Sequence, residues 1–260
     1  MQTEDIKAKV KGRIGREILF YQTVSSTNTI ALDLAEKGKT EGAVVLADSQ
    51  EKGKGRLGRT WVSPPGVNVY MSIITRPEIK PKDVTLITLM TAIACTTALR
   101  KVTGLNITIK WPNDLIVSDK KLGGILTETK TSPERINIAI IGIGINVNMD
   151  IDAIPDDLKD IVTSIKIETG KTYSRAELIA EILNEIDKWY NILNRTDRER
   201  ILSEWKQLTS TLGKEVMVTV GNETFFGLAE FVDDEGMLIL RLQSGMLKRI
   251  NTGDLTIYRC

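Results

Sequence analysis

The chain has 260 residues, 42% hydrophobic and 27% charged, so it is long enough to bury a large core and has the composition of a globular protein. Its formal net charge of +1 excludes a bulk electrostatic attraction to nucleic acid or membranes, so any basic site has to be local. The absence of histidine excludes Ser-His-Asp and Cys-His catalysis as well as histidine-ligated metals.

The cysteines and the N-terminus favour a cytoplasmic location. Only two cysteines occur, Cys95 in an apolar run and Cys260 at the end, which is too few for a disulfide framework or a zinc cluster. The first residues are polar and acidic, unlike a secretory signal, and we expect no segment of membrane-spanning length. We therefore predict a cytoplasmic protein without a protein-built metal site.

Strands and two helices are predicted for the first hundred residues. Ser26, Thr27 and Asn28 are typical of a helix start, and the residues alone favour a simple cap over a ligand contact. A second helix, with an apolar side, begins at Pro81 and ends before Gly104. The predicted strands are 21–24, 43–48 and 67–75.

A loop that alternates glycines with cations separates two of these strands. It reads Gly53-Lys-Gly-Arg-Leu-Gly-Arg59, followed by Trp61, and we call residues 53–59 the cationic loop. Glycine allows a backbone to approach a ligand closely, while Lys and Arg supply hydrogen-bond donors for oxyanions. The pattern predicts a phosphate or carboxylate site, although a solvated basic hairpin tip fits the same residues.

The middle of the chain is predicted to be mostly strand. A strand at 107–110 enters a Trp-Pro-Asn-Asp turn, and further strands follow at 115–118, after the Gly123-Gly124 pair, and at 136–148. Gly142 and Gly144 interrupt the last of these strands. Glycines inside a strand indicate either a β-bulge or a ligand or backbone passing close to that face.

The C-terminal quarter changes from helix to short strands. A capping box at Ser174 opens a helix to about residue 194, and a second helix follows at 197–209. Turn signals beyond Leu212 break short strands at the spacing of a small β-barrel. We therefore predict two domains, residues 1–211 and 212–260.

The sequence resembles the biotin protein ligase family in motifs that occur in the same order. They are Ser26-Thr-Asn28, the cationic loop, Lys110-Trp-Pro-Asn-Asp114 with Lys121-Leu-Gly-Gly124, and Gly142-Ile-Gly-Ile-Asn146. The resemblance implies an α+β fold, with a mixed sheet flanked by helices like that of class II aminoacyl-tRNA synthetases and a C-terminal SH3-like barrel. It also implies an ATP-dependent ligase that condenses biotin with MgATP to biotinyl-5′-AMP. The biotinyl group then passes to one lysine of a biotin carboxyl carrier domain.

The resemblance also implies roles for individual residues. Arg56 would retain the acyl-adenylate, Lys121 would contact the carboxylate and α-phosphate, and Trp61 would lie against adenine. Asp114 would orient or deprotonate the acceptor lysine, unless the Trp-Pro-Asn-Asp segment is simply a rigid turn. The remaining residues of the implied binding site are Ser26, Thr27, Asn28, Gln50, Gly53, Lys54, Gly55, Arg59, Asn113, Gly124, Gly142, Gly144 and Asn146.

The chain departs from the family pattern at Lys54, where the commonest motif has Arg, so a bidentate contact is lost there. Too little chain precedes Ser25 for a helix-turn-helix, so we expect a ligase that does not bind DNA, and the resemblance is compatible with a homodimer. One alternative is a lipoate ligase of the same fold, whose signature includes a histidine that this chain lacks. Another is an RNA-binding module, which the aromatic content of 5% disfavours.

Overall fold

The structure is a computed structural model that describes residues 2–258, so Cys260 lies outside the described residues. The first part of the chain forms a seven-stranded mixed sheet in the order β1-β2-β3-β7-β6-β5-β4. Strands β1 and β2 are parallel, and the other neighbours are antiparallel. The strands are β1 (Ile18–Val24), β2 (Val44–Gln50), β3 (Val69–Thr75), β4 (Thr108–Lys110), β5 (Asp114–Val117), β6 (Lys120–Thr131) and β7 (Ile136–Ile145).

Helices cover both faces of this sheet because its strands are apolar on both sides. Val45, Ile74 and Ile140 pack against α2 on one face, whereas Val44 and Leu46 belong to the larger core beneath α3, α5 and α6 on the other. The helices are α1 (Thr3–Lys7), α2 (Thr27–Glu36), α3 (Val84–Thr103), α4 (Ile165–Thr169), α5 (Arg175–Asn194) and α6 (Arg198–Leu208).

Helix α3 is long and strongly apolar. Together with the turn before it, this helix spans residues 81–103, which are long and apolar enough to cross a membrane. By length and composition, therefore, the expectation that no segment reaches membrane-spanning length is wrong. However, 72% of its most apolar stretch is buried inside the protein, as in the core helix of a globular protein. Gly104 ends the helix in the left-handed conformation, which suits a residue without a Cβ.

A second, five-stranded antiparallel sheet follows α6 in the order β11-β10-β9-β8-β12. Its strands are β8 (Glu215–Val220), β9 (Glu223–Val232), β10 (Leu238–Leu242), β11 (Leu247–Ile250) and β12 (Asp254–Ile257). The predicted fold class, a helix-flanked mixed sheet with a separate C-terminal β domain, is confirmed.

The two sheets meet at the turn between β4 and β5. Trp111 is almost fully buried there; its indole Nε1 donates to the Gly236 carbonyl at 3.2 Å, and its backbone N–H donates to Thr211 Oγ1 at 2.9 Å. Asn113 lies in the same turn, and Asp114 follows it as the first residue of β5. The contact with the C-terminal domain therefore lies directly beside two predicted site residues.

Candidate active site

One cavity of about 240 Å³ brings nearly all predicted site residues together. It opens over the middle of the seven-stranded sheet, between the N-terminus of α2, the cationic loop and the β4–β5 turn. Of the residues predicted to form the site, only Gly53 does not line it. The predicted residues that do are Ser26, Thr27, Asn28, Gln50, Lys54, Gly55, Arg56, Arg59, Trp61, Asn113, Asp114, Lys121, Gly124, Gly142, Gly144 and Asn146.

The N-terminus of α2 is capped by Gln50 rather than by Ser26. Ser26 occupies the N-cap position with an extended backbone, but its hydroxyl makes no capping hydrogen bond. Instead, Gln50 Oε1 accepts from the backbone N–H of Thr27 at 2.9 Å and from its hydroxyl at 3.2 Å. The predicted helix start at Ser26 is confirmed, but the Ser26 hydroxyl does not cap the helix and its residue lines the cavity.

Neutral hydrogen-bonding groups surround this end of the cavity. Gln50 Nε2 donates to Ser63 Oγ at 2.9 Å, which fixes the orientation of the Gln50 amide. Ser72 Oγ lies 2.8 Å from Thr27 Oγ1 and 2.6 Å from Asn28 Oδ1. All of these groups are uncharged, so this end of the cavity suits a neutral polar ligand group.

Side chains of the protein itself pass close to the glycines of β7. Gly142 and Gly144 keep a regular register with β3 and β6, which excludes a bulge at these positions. A Cβ at Gly142 would clash with Asn28 Oδ1, and a Cβ at Gly144 would lie 2.6 Å from Cε2 of Trp61. The approach to these glycines is therefore made by the side chains of Asn28 and Trp61, whereas the sequence predicted a ligand or a backbone.

Trp61 lies against the sheet at the cavity floor. Its Cζ3 would be 3.3 Å from a Cβ at Gly124, and Lys121 Nζ lies 5.5 Å from the centroid of its ring. Gly53 lies outside the cavity but helps to position Trp61. Its carbonyl accepts a hydrogen bond from the Trp61 backbone N–H at 2.8 Å, and a Cβ on residue 53 would clash with the Trp61 carbonyl.

The cationic loop is anchored at three places and is not a freely solvated hairpin tip. Arg56 donates from Nη1 to Asn113 Oδ1 at 2.9 Å and from Nη2 to Thr252 Oγ1 at 2.8 Å. Arg59 forms a two-pronged ion pair with Asp254. The third anchor is Lys54, whose Nζ lies 3.3 Å from an oxygen of Glu128.

The anchors affect the titration of the charged groups. Burial lowers the pKa of Arg56, although nearby Asp114 and Asp254 oppose the shift. The hydrogen bond to Asp254 raises the pKa of Arg59, and the same bond lowers the pKa of Asp254. Both arginines are therefore charged at neutral pH.

Lys121 and Asp114 form an ion pair at the end of the cavity that faces Arg56. Lys121 Nζ lies 2.6 Å from Asp114 Oδ1, and Lys110 Nζ lies 3.7 Å from Oδ2 of the same carboxylate. The strands place this pair, because Asp114 opens β5 and Lys121 lies in the paired strand β6. Both oxygens of Asp114 therefore face cations.

Asn113 and Asn146 line the cavity but already have protein partners. Asn113 donates to the Ile125 carbonyl at 2.8 Å and accepts from Arg56, and Asn146 donates to the Thr163 carbonyl at 3.0 Å. Both are largely buried. In this structure their amides hold β6, Arg56 and the 163–165 segment in place.

Several residues in and around the cavity were not predicted. Asp254, which lines the cavity, and Thr252, which does not, come from the C-terminal domain. Glu128 and Ser72 also lie outside the cavity lining and contact predicted site residues. An apolar wall consists of Leu57, Val62, Met149, Ile154, Leu158 and Ile161. Asp254 follows a glycine and reads as part of a surface turn, so nothing in the local sequence indicates that it contacts Arg59.

In the described part of the chain, acidic side chains and cysteines form no cluster that could hold a metal ion. The acidic residues that line the cavity, Asp114 and Asp254, are paired with Lys121 and Arg59. The donor set therefore does not fit a resident metal ion.

Comparison with known proteins gives consistent similarities. The model of the Biotin/lipoate A/B protein ligase family matches residues 19–146, and the model of the Biotin protein ligase C terminal domain matches residues 211–255. The chain is 37% identical over 244 residues to the Bifunctional ligase/repressor BirA of Bacillus spizizenii, an alignment covering 94% of this chain and 75% of that protein. It is 32% identical over 224 residues to the Biotin--[acetyl-CoA-carboxylase] ligase of Paracoccus denitrificans, covering 85% of this chain and 92% of that protein.

Among solved structures, the chain resembles the biotin protein ligase from Aquifex aeolicus in complex with biotin and ATP, with a TM-score of 0.79 at 28% identity. That match covers 94% of this chain and 100% of the other. The two ranges matched by the family models contain the predicted site residues and the unpredicted contacts at 252 and 254.

Proposed function

Because the chain belongs to the biotin/lipoate A/B protein ligase family, we propose that it is a biotin protein ligase. In the first reaction a carboxylate oxygen of biotin attacks the α-phosphorus of ATP, and the bond to pyrophosphate breaks to leave biotinyl-5′-AMP. In the second reaction the amine of an acceptor lysine attacks the acyl carbon, and AMP leaves. The ligands named for the Aquifex aeolicus structure, biotin and ATP, support this assignment.

The observation that carries the proposal is the opposite character of the two ends of the cavity. At one end the ion pair of Lys121 with Asp114 lies near Arg56, which Asn113 orients. Adenylation brings a carboxylate and a triphosphate together, and fixed cations stabilise the charge that builds up as they react. Lys121 and Arg56 would supply that stabilisation without reorganisation, because protein partners already hold them.

At the other end, the neutral groups around Thr27 and Gln50 suit the ureido ring of biotin. That ring is uncharged and offers both N–H donors and a carbonyl acceptor. The hydrogen bond to Ser63 fixes the Gln50 amide, so its oxygen faces Thr27 and the α2 N-terminus. We place the ring here and the carboxylate toward Lys121; the contact of Trp61 with adenine stays a prediction.

Asp114 acts first as the partner of Lys121. Its two oxygens face Lys121 and Lys110 at 2.6 Å and 3.7 Å. To deprotonate an acceptor lysine it would have to exchange one of these partners. Its role as a base stays a prediction, whereas its contact orients the Lys121 ammonium directly.

Magnesium enters as part of the substrate MgATP. The described residues provide no acidic cluster for the ion, and Mg²⁺ commonly binds through substrate phosphates and water. The acceptor we propose is a biotin carboxyl carrier domain, which the name of the Paracoccus denitrificans relative supports. Homodimer formation and a cytoplasmic location stay predictions, which light scattering and cell fractionation test.

The direct experiment is to incubate the protein with biotin, MgATP and a carrier domain and to measure the mass of the carrier. We expect one biotinyl group on one lysine, formed only when ATP is present. Adding lipoate in excess over biotin tests the alternative that the chain is a lipoate ligase. A biotin ligase still attaches biotin to the carrier under these conditions. A carrier that gains a lipoyl group instead would contradict the proposal.

A further inference from the structure

Glu128, on β6, connects two separate parts of the site without lining the cavity. Its Oε2 accepts from Asn28 Nδ2 at 2.7 Å, and its Oε1 lies 3.3 Å from Lys54 Nζ. Asn28 belongs to the first turn of α2, whereas Lys54 belongs to the cationic loop. One carboxylate therefore joins the neutral end of the cavity to the loop.

On the Asn28 side, Glu128 determines which way the amide points. A carboxylate only accepts hydrogen bonds, so it holds the NH₂ group of Asn28, which also donates to the Leu126 carbonyl at 3.2 Å. The amide oxygen then faces Ser72, which lies 2.6 Å away and also contacts Thr27. Asn28 is 3% exposed and covers Gly142, so it has little freedom to adopt another orientation.

On the loop side, Glu128 holds the cationic loop at the side away from its contacts with the C-terminal domain. Arg56 and Arg59 hold the loop to Thr252 and Asp254, and Lys54 holds it to β6. The chain has Lys54 where the family motif commonly has Arg, and a single ammonium can still pair with one carboxylate oxygen. The loop is thus fixed from two sides of the cavity.

We propose that Glu128 is a positioning residue for adenylation, which couples the position of the cationic loop to the groups that receive biotin. It acts through Asn28 and Lys54 rather than by touching a substrate. The inference rests on the proposed function, because both ends of the coupling are substrate-binding parts of that reaction.

Glu128→Gln and Glu128→Ala separate the two contacts. Glutamine keeps an oxygen for Asn28 but loses the charge that attracts Lys54, so we expect about twofold to fivefold faster adenylate release, as for a partly exposed ion pair, and a smaller rise in the KM for biotin because the two ends are coupled. Alanine removes both contacts, and we expect the KM for biotin to rise about tenfold as well, because a buried amide loses an acceptor.

A matched control is Glu36→Gln, which removes the ion pair of Glu36 with Lys130. That pair also joins α2 to β6 but lies away from the cavity residues. We expect Glu36→Gln to leave both the KM for biotin and adenylate release unchanged. If Glu128→Ala changes neither quantity, or if Glu36→Gln changes both equally, Glu128 has only a structural role.

A double-mutant cycle with Lys54→Gln tests the loop contact even if Glu128→Ala fails to fold. If the two residues act together, the double variant with Glu128→Gln releases adenylate no faster than the faster single variant. Multiplicative effects would overturn the coupling. A wild-type protein that forms no adenylate would instead contradict the proposed function, so the two failures are distinct.

Discussion

The ammonium nitrogen of Lys121 lies 2.6 Å from Oδ1 of Asp114, at the charged end of a cavity whose other end is neutral. Lys121 is about one-third exposed and reaches the cavity, whereas the Asp114 side chain is more buried. The carboxylate thus fixes a cation that can still meet a ligand. This arrangement suits a group that must be in place before two anions react.

Replacing Lys121 by Ala is expected to lower the rate of adenylate formation about 10²-fold to 10³-fold, the usual loss when one preorganised stabilising group is removed. Pyrophosphate release in a single turnover measures this rate. Lys110→Ala is the comparison, because Lys110 contacts the same carboxylate at a longer distance and should have a smaller effect. Full activity of Lys121→Ala would remove the main catalytic assignment.

Arg56→Ala is expected to release biotinyl-5′-AMP prematurely, because the side chain that joins Asn113 to Thr252 is lost. The free adenylate should then label lysines of unrelated proteins, which mass spectrometry of added albumin detects. Arg56→Lys should be intermediate, since an ammonium lacks the forked geometry that serves both acceptors. Arg135→Ala, in the β6–β7 turn, is the control and should leave labelling confined to the carrier.

The pair of Arg59 with Asp254 predicts a specific pH dependence. Because Arg59 lowers the pKa of Asp254, the contribution of the pair is fully present above the unfolded pKa, about 4. It is lost only as pH falls through the lower folded pKa. The contribution of this pair to adenylate retention should therefore not change with pH between pH 5 and 8.

Asp254→Asn provides the comparison for that measurement. It should speed adenylate release by about twofold to fivefold across the whole range, as expected for an exposed ion pair. An effect of Asp254→Asn that appears only at one end of the range would show that another group controls the loop.

Gly144→Ala is expected to destabilise the protein by about 1–3 kcal/mol and to raise the KM for biotin, because the added methyl group meets the Trp61 ring. Chemical denaturation and adenylation kinetics measure the two effects. The double variant with Trp61→Phe should recover part of the stability, since the smaller ring leaves room. An equal loss in single and double variants would show that Trp61 is not the obstacle.

The sequence predicts those parts of the site whose chemistry is local. The cationic loop combines glycines and cations within seven residues, and Lys121 precedes a glycine pair, so both could be recognised without a structure. The glycines of β7 likewise indicated a close approach. The sequence did not show that Asn28 and Trp61 make it, because those residues reach β7 from other elements.

Contacts between distant segments could not be predicted. Asp254 is 195 residues from Arg59, and its surroundings are typical of any turn. Glu128 lies between Thr127 and Thr129 on β6, so in the sequence it resembles a solvent-exposed strand residue. Similarly, Ser26 has the sequence of a cap, and only the packing of β2 shows that Gln50 caps the helix instead.

The contacts of Arg56 and Arg59 with Thr252 and Asp254 limit how freely the two domains can be exchanged among related enzymes. A chimera with a foreign C-terminal domain would keep both of these loop contacts only if the donor supplies an acceptor at 252 and a carboxylate at 254. These two positions would therefore affect how firmly a foreign C-terminal domain holds the cationic loop, even though Lys121 lies in the other domain.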